Sequence, residues 1–407
     1  MKKNILFAAL AAASITLATT SCSNEDESLG SPSSTAVVQT QTPINYTSGI
    51  ATLQSETTRG TSIQGTNYLS QTLVPNMKVW AYFVPTATGT GTTGGTQYVG
   101  SSGDGIVIKN LSTESPVSNK WNYSDLTQVS YWPTQALNFY AIIPASDASF
   151  SVASTVSNSL GHVVASVTVP TTVTAQKDIL FAQAVNQMAR TADNNTPVSF
   201  NFSHAMSQIV FTGKLASSNL SAEINSITIC NVDQKGKVGF ITDDKSTVSL
   251  SSSVDASHTV AKYSVGLVSD ATLSGSSNVS TAKNLVATNG ALMMLPQSRA
   301  SEKWTHSGTD MTIAQADAKK TTYLAISCKI KNGNAYVMGT ESTYATVYIP
   351  FEINWEQGKK YTYCIVFGKG SGGYDEDGEA TSNLLPITYT LQSVTGWTEA
   401  SGSQVEF

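Results

Sequence analysis

Two clusters of acidic residues could in principle carry acid–base or metal chemistry. They are Asp243-Asp244 and Asp375-Glu376-Asp377-Gly378-Glu379. Glycoside hydrolysis needs two carboxylates that flank the scissile bond, whereas adjacent carboxylates in a polar loop are typical of solvated turns. The second cluster resembles the start of a calcium loop, but the bidentate Glu that closes such a loop is missing. We therefore predict no catalytic residue and no metal site.

Motifs for nucleophilic catalysis and for zinc binding are also missing. The run from Leu273 to Asn278 contains Ser and Gly but lacks the paired glycines of a Gly-x-Ser-x-Gly elbow. The four histidines are far apart in sequence, and no Cys-x-x-Cys or Cys/His spacing indicates zinc. His204 lies between two strand-like runs and is interpreted as a structural histidine. The sequence predicts a non-enzymatic protein without a cofactor.

Arginine is rare, with Arg59, Arg190 and Arg299 as its three occurrences. Arg59 lies in the polar segment Glu56–Ser62, between the strand-like run Ile44–Ile50 and the first strong strand. An exposed loop with a single basic residue is where a trypsin-like protease would cut. An incidental surface arginine explains this sequence equally well.

The first residues have the features of an export signal. Two lysines precede an apolar stretch from Ile5 to Leu17, which is too short to span a bilayer. The stretch leads into Thr19-Thr20-Ser21-Cys22, small residues followed by a cysteine, which resembles a lipobox. A plain signal peptide with an incidental cysteine is the alternative, but the acidic spacer 23–27 resembles those of surface lipoproteins. We expect residues 1–21 to be a lipoprotein signal peptide and Cys22 to be lipidated.

Three further cysteines, Cys230, Cys328 and Cys364, lie in strand-like runs. An odd number in an exported chain allows at most one internal disulfide. Buried free thiols that pack as small hydrophobic groups are the preferred interpretation, with one bridge as the alternative.

Composition indicates an all-β chain. At roughly 100–200 residues per domain, 407 residues allow two or three domains. Charged residues make up 13% of the chain, about half the usual share, while 40% are apolar. Long helical and coiled-coil proteins need more charge than this. A net charge of -5 and a pI near 5.4 exclude an electrostatic nucleic-acid surface.

Strand-like runs separated by turn residues recur along the chain, as in β-sandwiches. Helical periodicity is limited to Ala182–Ala192 and Ile313–Lys319. A turn-forming cluster at Ala192–Pro197 divides the chain. We predict a tether at 22–44, an N-terminal β-sandwich at 45–195 and a C-terminal β-sandwich at 196–407. The clearest runs are Lys78–Val84, Leu137–Ile143, Val163–Val169, Val198–Phe202, Gln208–Phe211, Ser226–Cys230, Thr322–Ser327, Tyr344–Ile349 and Tyr361–Phe367.

Short motifs follow one another over nearly the whole mature chain. They are Thr58–Gly60, Val79–Phe83, Lys120–Tyr123, Tyr131–Pro133, Leu137–Ala141, Asp178–Ala182, Val198–Ala205, Ile209–Phe211, Leu292–Gln297, Trp355–Tyr363 and Val394–Trp397. Each motif is loosely defined, but their order and spacing together resemble the fimbrillin family, the type V pilin superfamily of Bacteroidales. Gly60 departs from the family pattern, which often has Ala after the arginine.

The resemblance implies two transthyretin-like β-sandwich domains in tandem and a mechanical role. Subunits of this family are lipidated, moved to the outer surface and cut after an arginine, which removes the first strand. A strand from a neighbouring subunit fills the vacated groove head to tail and builds a fimbrium. Here the removed strand would lie within Ile44–Leu53, the cut between Arg59 and Gly60, and the donor strand within Leu384–Phe407. The last region could equally be a core strand.

The implied partners are other pilin subunits, the outer membrane through the lipid anchor, and host or bacterial surface ligands. Shaft, anchor and tip or accessory adhesin roles stay open. A surface glycan-binding lipoprotein is the alternative function, and it would need exposed aromatic platforms. Trp121, Trp132 and Trp397 lie in or beside strand-like runs, which indicates core positions.

Lipidation is testable at Cys22. Metabolic labelling with a fatty-acid analogue should mark the wild-type chain and should be lost in Cys22→Ala, because the acylated thiol is then absent. Equal labelling of the two chains would contradict the prediction.

Overall fold

The computed structural model describes residues 42–50, 76–84, 96–101, 103–111, 121–157, 160–188, 196–242, 248–369, 373–379 and 387–396. Within these ranges the chain is built almost entirely of β-strands, so the all-β prediction is confirmed. None of the helices in these ranges is long and apolar enough to cross a membrane. The predicted number of sandwich domains stays a prediction.

The strands are short and are connected mainly by turns. In chain order they are β1 Tyr46–Ile50, β2 Asn76–Phe83, β3 Gln97–Val99, β4 Ile106–Asn110, β5 Trp121–Tyr123, β6 Leu137–Ile143, β7 Phe150–Ser157, β8 Leu160–Thr168, β9 Leu180–Gln187, β10 Val198–His204, β11 Ser207–Leu215, β12 Leu220–Asp233, β13 Lys235–Thr242, β14 Val248–Val254, β15 Val260–Ser264, β16 Thr272–Ser274, β17 Lys283–Asn284, β18 Leu292–Met294, β19 Gln297–Ser298, β20 Tyr323–Asn332, β21 Ala335–Met338, β22 Ala345–Pro350, β23 Asn354–Trp355, β24 Lys359–Phe367 and β25 Ile387–Gly396. The helices are α1 Ser277–Ser280 and α2 Ile313–Lys319, with single 3₁₀ turns at Leu126–Gln128 and Val173–Ala175.

Four larger sheets organise these strands. The first has the order β1-β10-β9-β6-β2-β4-β5, with β3 beside β2. The second has the order β17-β11-β24-β25, and the third β15-β12-β20-β21. The fourth, β14-β13-β8-β7, pairs strands from both sides of residue 195. β10, just after the predicted boundary, pairs with β1 and β9. The division into domains at 45–195 and 196–407 stays a prediction.

The first sheet separates two hydrophobic cores, and its central strands contribute to both. On β2, Val79 and Ala81 face core 1, while Trp80 and Tyr82 face core 2. On β6 the seven residues are all buried. Successive side chains of a strand point to opposite faces, so burial of every residue means that both faces are covered. Core 1 also contains Ile44, Tyr46, Phe139, Ala141, Phe200 and Phe202, and core 2 contains Tyr140, Ile142, Phe181, Phe240 and most of the later strands.

The helical prediction for Ala182–Ala192 is wrong in its described part. Residues 180–187 form β9, which pairs with β6 and β10. Leu180 and Ala182 enter core 1, and Phe181 enters core 2, where its ring lies 5.8 Å from that of Phe240. Pairing with β6, together with the burial of Leu180–Ala182, overrides the weak local preference of this segment for helix.

The helix prediction for Ile313–Lys319 is confirmed as α2. A capping box forms at its start, where the Thr312 hydroxyl accepts from the Gln315 amide and the Gln315 side chain accepts from the Thr312 amide. Ile313 and Ala316 are its buried residues. Local capping therefore fixes this short helix, and a satellite core around Trp304 and Tyr323 covers its apolar side.

The two-core arrangement is testable on β9. Phe181→Ala should lower the free energy of unfolding by about 3–5 kcal/mol, because a fully buried aromatic side chain is lost. Val185→Ala on the same strand is the matched control, since Val185 is 49% exposed, and it should change stability by about 0.5 kcal/mol or less. Chemical denaturation measures both. Similar small effects for the two variants would contradict the burial of β9.

Candidate functional site

The residues from 42 to 50, named here the β1 segment, lie between two parts of the first sheet. β1 pairs in parallel with β10, with Tyr46 opposite Val198 and Ser48 opposite Phe200. On the other side, the Ile44 amide donates to the Ser130 carbonyl at 2.9 Å, and the Trp132 amide donates to the Thr42 carbonyl at 3.0 Å. β1 and β5, the two ends of the strand order of this sheet, contact each other.

Alternate side chains of the β1 segment fill core 1. Ile44, Tyr46 and Ser48 are buried, whereas Asn45 and Thr47 are half-buried. The Tyr46 ring is stacked on Phe200, with 6.1 Å between ring centroids. It also meets the rings of Tyr123 and Phe139 edge-on, at 5.8 and 6.2 Å. Burial raises the pKa of Tyr46 well above its usual value, so the phenol stays neutral.

Buried hydrogen bonds from β5 complete the seat of the β1 segment. The Trp121 indole Nε1 donates to the Ser48 hydroxyl at 2.8 Å, and the Tyr123 hydroxyl donates to the Ile44 carbonyl at 2.8 Å. The Val198 amide donates to the Asn45 carbonyl at 2.7 Å. Without the segment these donors would lose the acceptors that it supplies, and each buried group left unsatisfied costs about 1–3 kcal/mol. The segment covers a surface that we name the β1 groove. This groove is defined by Trp121, Tyr123, Phe139, the backbone of residues 130–132 and β10.

The β1 groove has the properties of a strand acceptor. Its floor is apolar and aromatic, and its walls offer backbone groups of β10 and of residues 130–132. Unpaired backbone groups beside an apolar floor pair readily with any extended segment of suitable alternation. In this structure the groove holds an extended segment of its own chain through backbone pairing and buried side chains. Among the described residues, no three His, Cys, Asp or Glu side chains are arranged to hold a metal ion.

The predicted modification residues lie outside the described part of the chain. Cys22, Arg59 and Gly60 all fall there, and their roles stay predictions. The predicted removable strand, Ile44–Leu53, is described as far as Ile50, where it forms the β1 segment. The structure brings it against Trp121 and Tyr123, a contact that no local sequence signal indicates because the partners are more than 70 residues away.

The predicted donor region is described over β25. β25 pairs antiparallel with β24 of its own chain, with Ile387 opposite Phe367 and Gly396 opposite Lys359. It is the last strand in the order of its sheet. Ile387 is buried, but Leu391 and Val394 are 37% and 47% exposed. In this structure β25 is thus a peripheral strand that carries two exposed apolar side chains.

Buried polar residues elsewhere have structural roles. His204 Nδ1 lies 2.9 Å from the Asp178 carboxylate, which ties the end of β10 to the segment before β9. Arg299 is buried, and its Nη1 donates to Asp233 at 2.7 Å. The cysteines Cys230, Cys328 and Cys364 are free and buried, as preferred from sequence. Burial raises the pKa of both Cys230 and Cys328 to about 12.

The tryptophans that bear on the glycan-binding alternative face the protein. Trp121 is buried in core 1. Trp132 packs against the same core, 5.7 Å from the Phe139 ring. Trp397 lies outside the described residues. Trp121 and Trp132 therefore do not form an exposed aromatic platform.

Comparison with known proteins decides the family. A family model described as fimbrillin-like matches residues 70–386, which is most of the chain. The chain belongs to the fimbrillin-like family. It is accordingly a non-enzymatic fimbrial or adhesin subunit of the cell surface, and its family indicates association with other pilin subunits. The resemblance inferred from the sequence motifs is confirmed.

Solved structures similar to this fimbrillin-like chain include two candidate cell adhesion proteins. The one from Bacteroides ovatus is 15% identical, with a TM-score of 0.44, and the match covers 89% of this chain and 99% of that one. The one from Bacteroides uniformis is 12% identical, with a TM-score of 0.42 and coverage of 89% and 99%. The tip fimbrial protein Mfa3 from Porphyromonas gingivalis, with a C-terminal truncation, is 10% identical, with a TM-score of 0.35 and coverage of 80% and 94%. No curated protein matches the chain significantly.

The contribution of the β1 segment is testable at two adjacent positions. Tyr46→Ala should lower the free energy of unfolding by about 3–5 kcal/mol, the range for truncation of a buried aromatic residue. Thr47→Ala, whose side chain is half-buried on the opposite face, should cost about 1 kcal/mol or less. Urea denaturation measures the difference. Equal losses at the two positions would contradict the role of Tyr46 as the anchor in core 1.

Proposed function

We propose that this fimbrillin-like chain is a lipid-anchored surface subunit or adhesin that assembles by strand exchange at the β1 groove. The observation that carries the proposal is the way the β1 segment is bound in the β1 groove. Ile44, Tyr46 and Ser48 are buried, yet among the described strands β1 pairs with β10 alone, while backbone hydrogen bonds to residues 130 and 132 hold the other side of the segment. The segment therefore acts as a plug that keeps the groove closed until the subunit is in place.

Cleavage in the connection between β1 and β2 releases this plug. Arg59 lies in that connection, and a cut before Gly60 would leave the β1 segment held by non-covalent contacts alone. Support for Arg59 comes from the other arginines. Arg299 is held in the core by Asp233 and donates Nη2 to the Lys320 carbonyl at 2.7 Å, so it is not accessible to a protease. This leaves Arg59 and Arg190 as candidate arginine cleavage sites.

A donor strand from a neighbouring subunit then replaces the β1 segment. It must offer apolar side chains at alternate positions and a free backbone edge. The region Leu384–Phe407 meets the first requirement, and β25 within it is peripheral in its own sheet. The contact is head to tail and does not close on itself, so repetition produces a filament. Lipidation at Cys22 would anchor the subunit to the outer membrane before cleavage.

Maturation at Arg59 is testable by polymerisation. Limited digestion of the full-length chain with a trypsin-like protease should give an early fragment that begins at Gly60, followed by polymers visible in electron microscopy. Arg59→Ala should abolish both, because the plug then stays covalently attached. Arg190→Ala is the matched control and should polymerise like the wild type. A first cut at Arg190 or at a lysine, or polymers formed by Arg59→Ala, would contradict the mechanism.

A further inference from the structure

The outer face of the fourth sheet contains an open cleft. Its volume is about 360 Å³, within the range of about 300–1,000 Å³ typical of small-molecule sites. A cleft of this size accommodates one sugar residue. Its lining is dominated by hydroxyl and charged side chains. Those that bear on its chemistry are Ser151, Ser166, Thr168, Lys235, Lys237 and Asp255.

Strand register brings the cationic and hydroxyl side chains together. Lys235 and Lys237 occupy alternate positions on β13, so they point to the same face, and both are exposed. On the neighbouring strand β8, Thr168 is paired with Lys235 and Ser166 with Lys237. Directly paired residues have Cβ atoms about 4.5–5.5 Å apart. Each lysine thus has a hydroxyl-bearing residue beside it on the neighbouring strand.

Among the described residues, Lys235 and Lys237 have no ion-pair partner, whereas Lys262 and Lys283 each have one. Lys262 is paired with Asp317 at 2.6 Å, and Lys283 with Asp270 at 3.0 Å. In the part of the chain that the structure describes, no carboxylate lies within ion-pair distance of Lys235 or Lys237. Two adjacent positive charges on a chain of net charge -5 favour an external anion.

The walls of the cleft are fixed by hydrogen bonds. The Asp255 amide donates to the Lys235 carbonyl at 3.0 Å, and the His258 amide donates to the Asp255 carbonyl at 2.9 Å. Lys320 Nζ closes this turn by donating to the His258 carbonyl at 2.9 Å. On the opposite wall the Thr168 amide donates to the Ser149 carbonyl at 2.8 Å. A cleft with such walls loses little conformational freedom when a ligand binds.

Asp255 restricts which anion fits. Its carboxylate lines the same cleft as the lysines and would repel a ligand with charges spread over its whole length. It can, however, accept hydrogen bonds from the hydroxyl groups of a ligand. The combination suits a molecule with a single carboxylate on one side and several hydroxyl groups on the other.

We propose that this cleft binds a carboxylate-bearing sugar residue of a surface glycan, through ionic and hydroxyl contacts in place of an aromatic platform. The ammonium groups of Lys235 and Lys237 hold the carboxylate, and Ser151, Ser166, Thr168 and Asp255 receive the sugar hydroxyls. This gives the subunit an adhesive site. The cleft lies on the fourth sheet and not at the β1 groove, so sugar binding and polymerisation can be measured separately.

The test measures binding of four sugars to the full-length chain by saturation-transfer NMR and calorimetry. Sialyllactose represents host-type glycans, methyl glucuronide represents uronic-acid polysaccharides, and lactose and methyl glucoside are their neutral counterparts. At least one acidic sugar should bind about tenfold or more tightly than its neutral counterpart, since charge-assisted hydrogen bonds are lost in the latter. Which one binds identifies the source of the glycan.

Variants connect the binding to the cleft. Lys235→Gln/Lys237→Gln should weaken binding of the acidic sugar about tenfold or more, while polymerisation stays unchanged. Lys109→Gln, an exposed lysine on β4, is the matched control and should bind like the wild type. Absence of binding by both acidic sugars, equal binding of acidic and neutral sugars, unchanged binding by the double variant, or binding of a triglutamate peptide in place of the sugars would overturn the proposal.

Discussion

Burial on both faces of β6, of the middle of β2 and of the first three residues of β9 is the constraint on which the rest of the structure depends. A slip of one residue in any of these strands would exchange the side chains that enter core 1 with those that enter core 2. Trp80 and Tyr140 would then have to fit the places of Ala81 and Ala141. The register of the central strands is thus locked by side-chain volume, and both cores are built around a sheet that cannot shift.

The β1 segment contrasts with these central strands. It contributes side chains to core 1 alone, and it pairs with β10 at the end of the strand order. Its loss would therefore open one side of core 1 while core 2 and the central register stay in place. This asymmetry is what strand exchange requires. The segment removed must be buried enough to make the groove bind another strand, but not so central that its removal unfolds the subunit.

Local sequence patterns predicted the elements better than their partners. The run Leu137–Ile143 matches β6, and Ile313–Lys319 matches α2, because alternation, caps and apolar content are local properties. The parallel pairing of β1 with β10 joins residues about 150 positions apart, and nothing in either strand specifies the other. Residues 182–187 were misassigned to helix because their strand state depends on pairing with β6, a segment distant in sequence. The β1 groove could not be predicted for the same reason, although the strand-like run Ile44–Ile50, which contains β1, was predicted.

The β1 groove and the cleft on the fourth sheet lie on different sides of the central sheet and differ in chemistry. Ser and Thr side chains cover the outer face of the fourth sheet, so Lys235 and Lys237 stand out there against a neutral background. The inner face of that sheet packs on core 2, through Val167 and Phe240. The β1 groove opens into core 1 instead. Because the central sheet lies between the two cores, exchange of the first strand leaves the floor of the cleft unchanged. In the proposed assembly, such a subunit would hold its neighbour and a glycan at the same time.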